Sequence, residues 1–232
     1  MDKLFSNSKL MNKILKLAAN FLFPPFCVGC GDYLGWEANP KALCDHCVLK
    51  LNTTCQDTIH ILPGKKSIEK VFVFGKYGEQ PLTNLIHKAK YQNKAWAMEP
   101  LRVSLANFIA TCEISLIVDC VTSVPLHPRR LRERGFNQAE LIAQMISLII
   151  QKPLRLNLLK RAKFTKAQMS ITKHKDRFQN VKDAFVATEG IDLKNKKVLL
   201  VDDVATTMAT LQECAQRIND LGGKTYGFVL AH

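Results

Sequence analysis

Long apolar runs are what this sequence most plainly lacks. Nothing in its 232 residues approaches the roughly 20 consecutive apolar residues that a membrane-spanning helix needs, which excludes a channel or transporter built from such helices. Acidic residues are also scarce. Asp and Glu number 20 against 33 Lys and Arg, a net charge of +13, and this balance points to an anionic partner, with nucleic acid or phosphorylated metabolites ahead of a membrane surface. No single residue announces nucleophilic catalysis. A nucleotide P-loop is missing too: Gly222-Gly-Lys-Thr225 follows a helical stretch and precedes a strand, with Ile218 where the first loop glycine should stand.

What is present begins with a basic N-terminus. Lys3, Lys9, Lys13 and Lys16 lead into an apolar stretch, residues 17–23, that imitates a secretory signal. The stretch is short, however, and Asn20 breaks it. Leu10, Ile14, Leu17, Ala18 and Phe21 recur at helical spacing, so residues 1–26 read as an amphipathic helix ended by Pro24-Pro25. It would dock on the protein or, as a second choice, on a membrane surface. The expected location is the cytoplasm, with a peripheral place at the inner membrane as the lesser alternative.

Two C-x-x-C pairs follow, Cys27-Val-Gly-Cys30 and Cys44-Asp-His-Cys47. Each short turn can bring two thiolates to one metal, and the spacer lets the pairs meet around it, the pattern of a tetrahedral four-cysteine zinc site. Four protein ligands leave no open position, so the zinc would be structural. The competing reading is two disulfides in a secreted domain. His46 and Cys55 are spare ligands that could replace one thiolate. Cys112, Cys120 and Cys214 lie in apolar surroundings and read as core. Residues 52–66 read as a linker, which gives three units: the helix at 1–26, a zinc module with its linker at 27–66, and a larger domain at 67–232 whose hydrophobic content suits an ordinary core.

In the larger domain Val198-Leu-Leu-Val201 has no polar alternation, as expected of a strand buried on both faces of a parallel sheet. Asp202 and Asp203 stand at its carboxyl end. After Val204 and Ala205 come Thr206 and Thr207, read as helix caps, then Met208, Ala209 and Thr210 at the start of a helix closed by Gly222-Gly223. Helix-start N–H groups and threonine hydroxyls suit a phosphate, and a carboxylate pair suits sugar hydroxyls or hydrated Mg²⁺. A capped helix beside a solvated acidic pair is the plainer reading. Residues 117–124 read as a second central strand stopped by Pro125. The following loop carries His127, Arg129, Arg130, Arg132 and Arg134, dense enough to clamp a diphosphate or a nucleic-acid backbone, and a helix begins near Ala139. Between residues 81 and 91 a helix delivers Lys88, Lys90 and Tyr91, cations beside a ring that could hold phosphate and stack on a base. The stretch 159–185 is a basic excursion, read as a flap over the cleft.

The order Asp202-Asp203-Val-Ala-Thr-Thr-Met-Ala-Thr210 resembles the phosphoribosyl-pyrophosphate (PRPP) loop of type I phosphoribosyltransferases. The phrase Val124-Pro-Leu-His127, then arginines, then Arg134-Gly-Phe-Asn-Gln138, resembles one branch of them, the ComF competence proteins. The resemblance runs from the cysteine pairs to Ala231. It implies an α/β phosphoribosyltransferase-like parallel sheet flanked by helices, with a small N-terminal zinc module. It also implies that the acidic pair contacts ribose, that residues 205–210 hold the 5′-phosphate, and that Arg130, Arg134 and Gln138 contact an anion near His127. Gln168, Arg177 and Asn180 fall at marked places of the family's basic segment. Glycine is usual where Met208 stands; a side chain there would crowd phosphate, unless Met208 takes ordinary helical angles and joins the apolar stripe. The implied role is binding of single-stranded DNA, and of PRPP with Mg²⁺, during natural transformation, with a competence helicase or pore component as partner. An active phosphoribosyltransferase with an unidentified acceptor is the alternative.

Overall fold

The computed structural model describes residues 17–36, 38, 43–53, 58–59, 67–91, 95–163 and 181–232. A five-stranded sheet is its centre, built from β1 (Thr58–Ile59), β2 (Val71–Gly75), β3 (Cys120–Ser123), β6 (Lys197–Val204) and β7 (Lys224–Ala231) in the order β1-β2-β7-β6-β3. The short edge strand β1 runs antiparallel to β2, and the other pairings are parallel. Part of the expected linker at 52–66 therefore extends the sheet. Strand β6 lies between β7 and β3, which explains why Val198–Val201 carries apolar side chains without alternation: all four are shut off from solvent.

Alternate side chains feed two cores. Leu199 and Val201 join Phe72, Phe74, Phe228 and Leu230 in one core, under α2 (Leu82–Tyr91), the 3₁₀ segment Ala95–Leu101, α3 (Arg102–Thr111) and α6 (Gln138–Ile150). Phe108 of α3 meets Phe74 and Phe228 edge-on, with centroids 5.6 and 5.9 Å away, a geometry worth about 0.5–1.5 kcal/mol per pair beyond the area buried. Val198 and Leu200 face the other core with Val71, Val73 and Val229, against Leu211, Cys214, Ala215 and Ile218 of α7 (Ala209–Asp220). The expected parallel sheet with helices on both faces is thus the observed architecture.

Three local readings change. Residues 114–117 form a helical turn, α4 (Ile114–Ile117), so β3 starts at Cys120 rather than near 117. The arginine-rich loop is a two-turn helix, α5 (Pro128–Arg134), with Nδ1 of its N-cap His127 accepting from the Arg129 N–H and Gly135 ending it at φ 75°. The ends of the basic excursion pair as a hairpin, β4 (Leu159–Arg161) with β5 (Phe185–Ala187), packed beside α7; residues 164–180, with Gln168, Arg177 and Asn180, lie outside the described residues. The helix α1 (Asp45–Thr53) completes the cysteine module.

Candidate functional site: an acidic turn, an arginine helix and a cysteine cluster

The cysteine cluster closes on itself. Sγ atoms of Cys27, Cys30, Cys44 and Cys47 all lie within 4.8 Å of one another, with Cys30 and Cys44 at 3.7 Å. A tetrahedron with Zn–S bonds near 2.3 Å has edges of about 3.8 Å, whereas a disulfide needs about 2.05 Å. The donor set therefore fits zinc. Burial pushes the Cys27 thiol up, but N–H groups of Cys30, Cys44 and Gly29 outweigh it and bring it down to about 6. Burial, with the other thiols around it, pushes Cys47 up, and burial also takes Cys30 up to about 11. Several thiols so close together resist ionising without a cation, and a bound divalent ion reverses that preference.

One helix joins this cluster to the acidic pair. On α2, the Asn84 side-chain amide donates to the Gly29 carbonyl, and Lys88 Nζ donates to the Val28 carbonyl at 2.8 Å. A Cβ placed on Gly29 would fall 2.5 Å from Pro81 Cβ and 2.9 Å from Cys47 Sγ, so only glycine fits this seam. Two residues past Lys88, Lys90 Nζ lies 2.7 Å from Asp203 Oδ2, with both side chains mostly buried. Lys88 is thus engaged by the cysteine module and Lys90 by the acidic pair. Tyr91 ends the helix.

The acidic pair sits at the carboxyl end of β6, where ligands of parallel sheets collect. Asp202 Oδ1 accepts from the Asp203 N–H at 2.9 Å, and Asp203 Oδ1 from the Val204 N–H at 2.6 Å. Burial, reinforced by the Asp203 charge, takes the Asp202 carboxyl up to about 7. The chain then turns through Ala205, Thr206 and Thr207 into Met208, which has φ 56° and is the N-cap of α7. Neither threonine caps the helix, and the ordinary helical angles weighed for Met208 are not found. Its side chain nevertheless packs against the core beside α7. The Met208 carbonyl accepts from Gln212, and Ala209 and Thr210 form the first turn. Thr207 Oγ1 is buried with no hydrogen-bond partner among the described residues, an acceptor and donor held ready at the turn.

The arginine helix α5 follows the adjacent parallel strand β3, so its cations and the acidic pair share one edge of the sheet. Asn137 anchors its far end, donating from Nδ2 to the Val124 carbonyl and accepting on Oδ1 from Ala139. Arg129 pairs with Glu133 at 3.1 Å in the open, and Arg132 is exposed. Arg134 Nη1 donates to Gln138 Oε1 at 3.3 Å, while Gln138 Nε2 is buried with no partner among the described residues. Arg130 is half-buried, and burial together with the Arg134 charge lowers its pKa.

Arg161 was not singled out from the sequence, yet its charge is coupled to both halves of the site, Arg130 and Asp202. Lying over the Phe185 ring at 5.1 Å, it has its pKa lowered by burial and by Arg130, opposed by Cys214 and Asp202. Its sequence signal was membership of the basic excursion at 159–185. The structure therefore brings together Asp202, Asp203, Lys90, Arg130 and Arg161, and directs Lys88 toward the cysteine module.

These features define an α/β parallel-sheet protein with a four-cysteine module docked on it. No protein-family model matches the chain. Competence protein F of Haemophilus influenzae is 34% identical over 201 residues, 84% of this chain and 85% of that one. DNA utilization protein YhgH of Escherichia coli O157:H7 is 27% identical over 80% of this chain and 81% of its own length. Competence protein ComFC of Bacillus subtilis is 31% identical over 100 residues, 43% of this chain and 38% of that one. The chain belongs to the ComF family of competence proteins. Among solved structures, adenine phosphoribosyltransferase of Leishmania tarentolae aligns with 65% of this chain and 61% of its own, at 14% identity and a TM-score of 0.38, too slight a likeness to carry an argument.

Proposed function

We propose that this protein acts in natural transformation as a cytoplasmic binder of single-stranded DNA that also takes PRPP at the end of β6. The observation that supports the reading is the shared end of two adjacent parallel strands: carboxylates and a helix start with a buried hydroxyl follow β6, a cationic helix follows β3, and Arg161 is coupled to both Asp202 and Arg130. Asp202 and Asp203 would hold ribose hydroxyls or Mg²⁺, in competition with Lys90 for Asp203. Residues 205–210 would receive the 5′-phosphate, and Arg130, Arg134 and Gln138, with Arg161, would meet pyrophosphate or the DNA backbone. The exposed Arg129 and Arg132 add a diffuse attraction. The names of the relatives, competence and DNA utilization, support the transformation setting. A DNA helicase or uptake pore of the competence machinery is the partner class this role requires. Zn²⁺ on Cys27, Cys30, Cys44 and Cys47 would be purely structural.

The position of Met208 decides how tightly phosphate is held. Its positive φ copies the turn a glycine would make, and its half-buried side chain, packed against the core beside α7, would still narrow the approach of a phosphate to the turn. PRPP binding is therefore expected to be weak and Mg²⁺-dependent, abolished in Asp202→Asn with Asp203→Asn and strengthened in Met208→Gly. Calorimetry on the three proteins tests this, and binding by none of them removes PRPP from the function. For DNA, Arg130→Ala with Arg134→Ala should weaken binding to all sequences and flatten its salt slope by about 0.7 for each phosphate no longer neutralised. Unchanged affinity and slope would acquit this helix.

One observation favours the second reading, an active transferase. A carboxyl whose pKa burial and a neighbouring acid raise to about 7, as they do for Asp202, beside the Lys90–Asp203 ion pair, is the kind of group catalytic sites contain. Acceptor-dependent release of pyrophosphate from PRPP and Mg²⁺, across bases, amines and DNA ends, separates enzyme from binder.

A further inference from the structure

The N-terminal end of the described chain has its polarity inverted. Residues 17–22 are helical, and their one polar residue, Asn20, points inward, 4% exposed, donating to the backbone carbonyl of Trp36. The apolar residues point outward: Phe21, Leu22 and Phe23 are 71–76% exposed. Around them Phe26, Tyr33 and Trp36 are about half exposed, and the rings touch in a row, Phe21 on Trp36, Trp36 on Tyr33, Tyr33 on Phe26, with centroids 5.7–6.2 Å apart. An exposed patch of this kind is a binding surface.

The chemistry of the patch and of the sequence leading to it selects the occupant. From Lys3 to Gly31 the sequence holds Lys3, Lys9, Lys13 and Lys16 and no acidic residue. Contiguous Phe-Leu-Phe bordered by Trp and Tyr, beside a run of lysines, matches the boundary between acyl chains and anionic headgroups. A single-stranded nucleic acid would instead need spaced rings with open faces, whereas Phe21 and Trp36 spend one face each on their mutual stack, planes 21° apart, and Phe21, Leu22 and Phe23 present one contiguous apolar surface.

We infer that the face formed by Phe21, Leu22, Phe23, Phe26, Tyr33 and Trp36 docks this protein on the surface of an anionic lipid bilayer. The inference is independent of the proposed ligands of the acidic turn. The Asn20 hydrogen bond ties the inserted segment to the cysteine module, so the module would lie against the headgroups and α2 would carry the cleft with it.

Flotation of the full-length, zinc-loaded protein with vesicles of phosphatidylethanolamine and phosphatidylglycerol tests this, with phosphatidylcholine vesicles as the neutral arm. The anionic vesicles should bind at least about tenfold more protein, and the triple variant Phe21→Ser, Leu22→Ser, Phe23→Ser should lose at least about tenfold, because apolar insertion and charge act jointly. Those side chains are exposed, so unchanged zinc content and thermal midpoint establish that the variant is folded. Equal flotation of variant and wild type overturns the proposal, as does equal binding to neutral vesicles. A variant that keeps its vesicle binding and loses affinity for oligodeoxythymidine makes the patch a DNA platform instead, and also overturns it.

Discussion

The cysteine cluster and the acidic turn both crowd groups of like charge, but they resolve the crowding in opposite ways. In the cluster, all four donors turn toward one point and the backbone N–H groups of Gly29 and Cys44 reach Cys27 Sγ at 3.3 Å. Its solution is local and closed. At the turn, Asp203 is balanced by Lys90, which comes from a helix more than a hundred residues earlier, and Asp202 keeps its proton to about neutral pH. That solution is distant and leaves room for exchange. A site whose counter-charge is borrowed from another element can release it to a ligand; four thiolates closed around a metal ion could not.

The largest expected effect breaks the closed half. Cys27→Ser with Cys30→Ser should take bound zinc from one per chain to none by metal analysis, and unfold residues 27–53, because metal binding and folding share one free energy in such modules. Protein that is metal-free and carries two disulfides would refute the assignment. Next, Lys90→Met removes the borrowed charge and leaves Asp203 buried without its partner, costing about 3 kcal/mol in urea unfolding. Adding Asp203→Asn should return most of that loss, and a double-mutant cycle showing no coupling would break the comparison. The smallest effect sharpens it. Met208→Gly should raise stability by at most about 1 kcal/mol, the relief of a positive φ less the packing the side chain gives up; a fall in stability would show that packing outweighs strain there.

The readings that held came from short-range patterns. Two C-x-x-C pairs carry their geometry within four residues each, and Val198–Val201 needs only a parallel sheet to explain its missing alternation. Where reading failed, the cause was distance or an overlooked local signal. Lys90 and Asp203 were each singled out but not as a pair, and Arg161 acts on Asp202 and Arg130 from another element; no spacing along the chain connects them. The helix at 128–134 did announce itself, since His127 as cap, Pro128 at the first position and Gly135 just past the end form an ordinary start and stop; the density of arginines drew attention to charge instead. At Met208 the usual marker of a positive φ, glycine, is absent, and only the resemblance, which puts glycine there, pointed to the left-handed turn the structure shows. The threonines beside it mimicked a cap, while the N-cap position went to a side chain that makes no cap at all.

The strand order has a consequence for how the protein is made. Strand β7, at residues 224–231, is the middle of the sheet, paired with β2 on one side and β6 on the other. While the chain emerges from the ribosome, β2 and the β3–β6 pair have no strand between them, and the aromatic core lacks Phe228. Synthesis must pass residue 231 before the two halves can be zipped together, so this fold forms late and by long-range contacts. The cysteine module, by contrast, has all four thiols in place once Cys47 is made, and a metal ion captured there would let it wait, already folded, for the helix on which it docks.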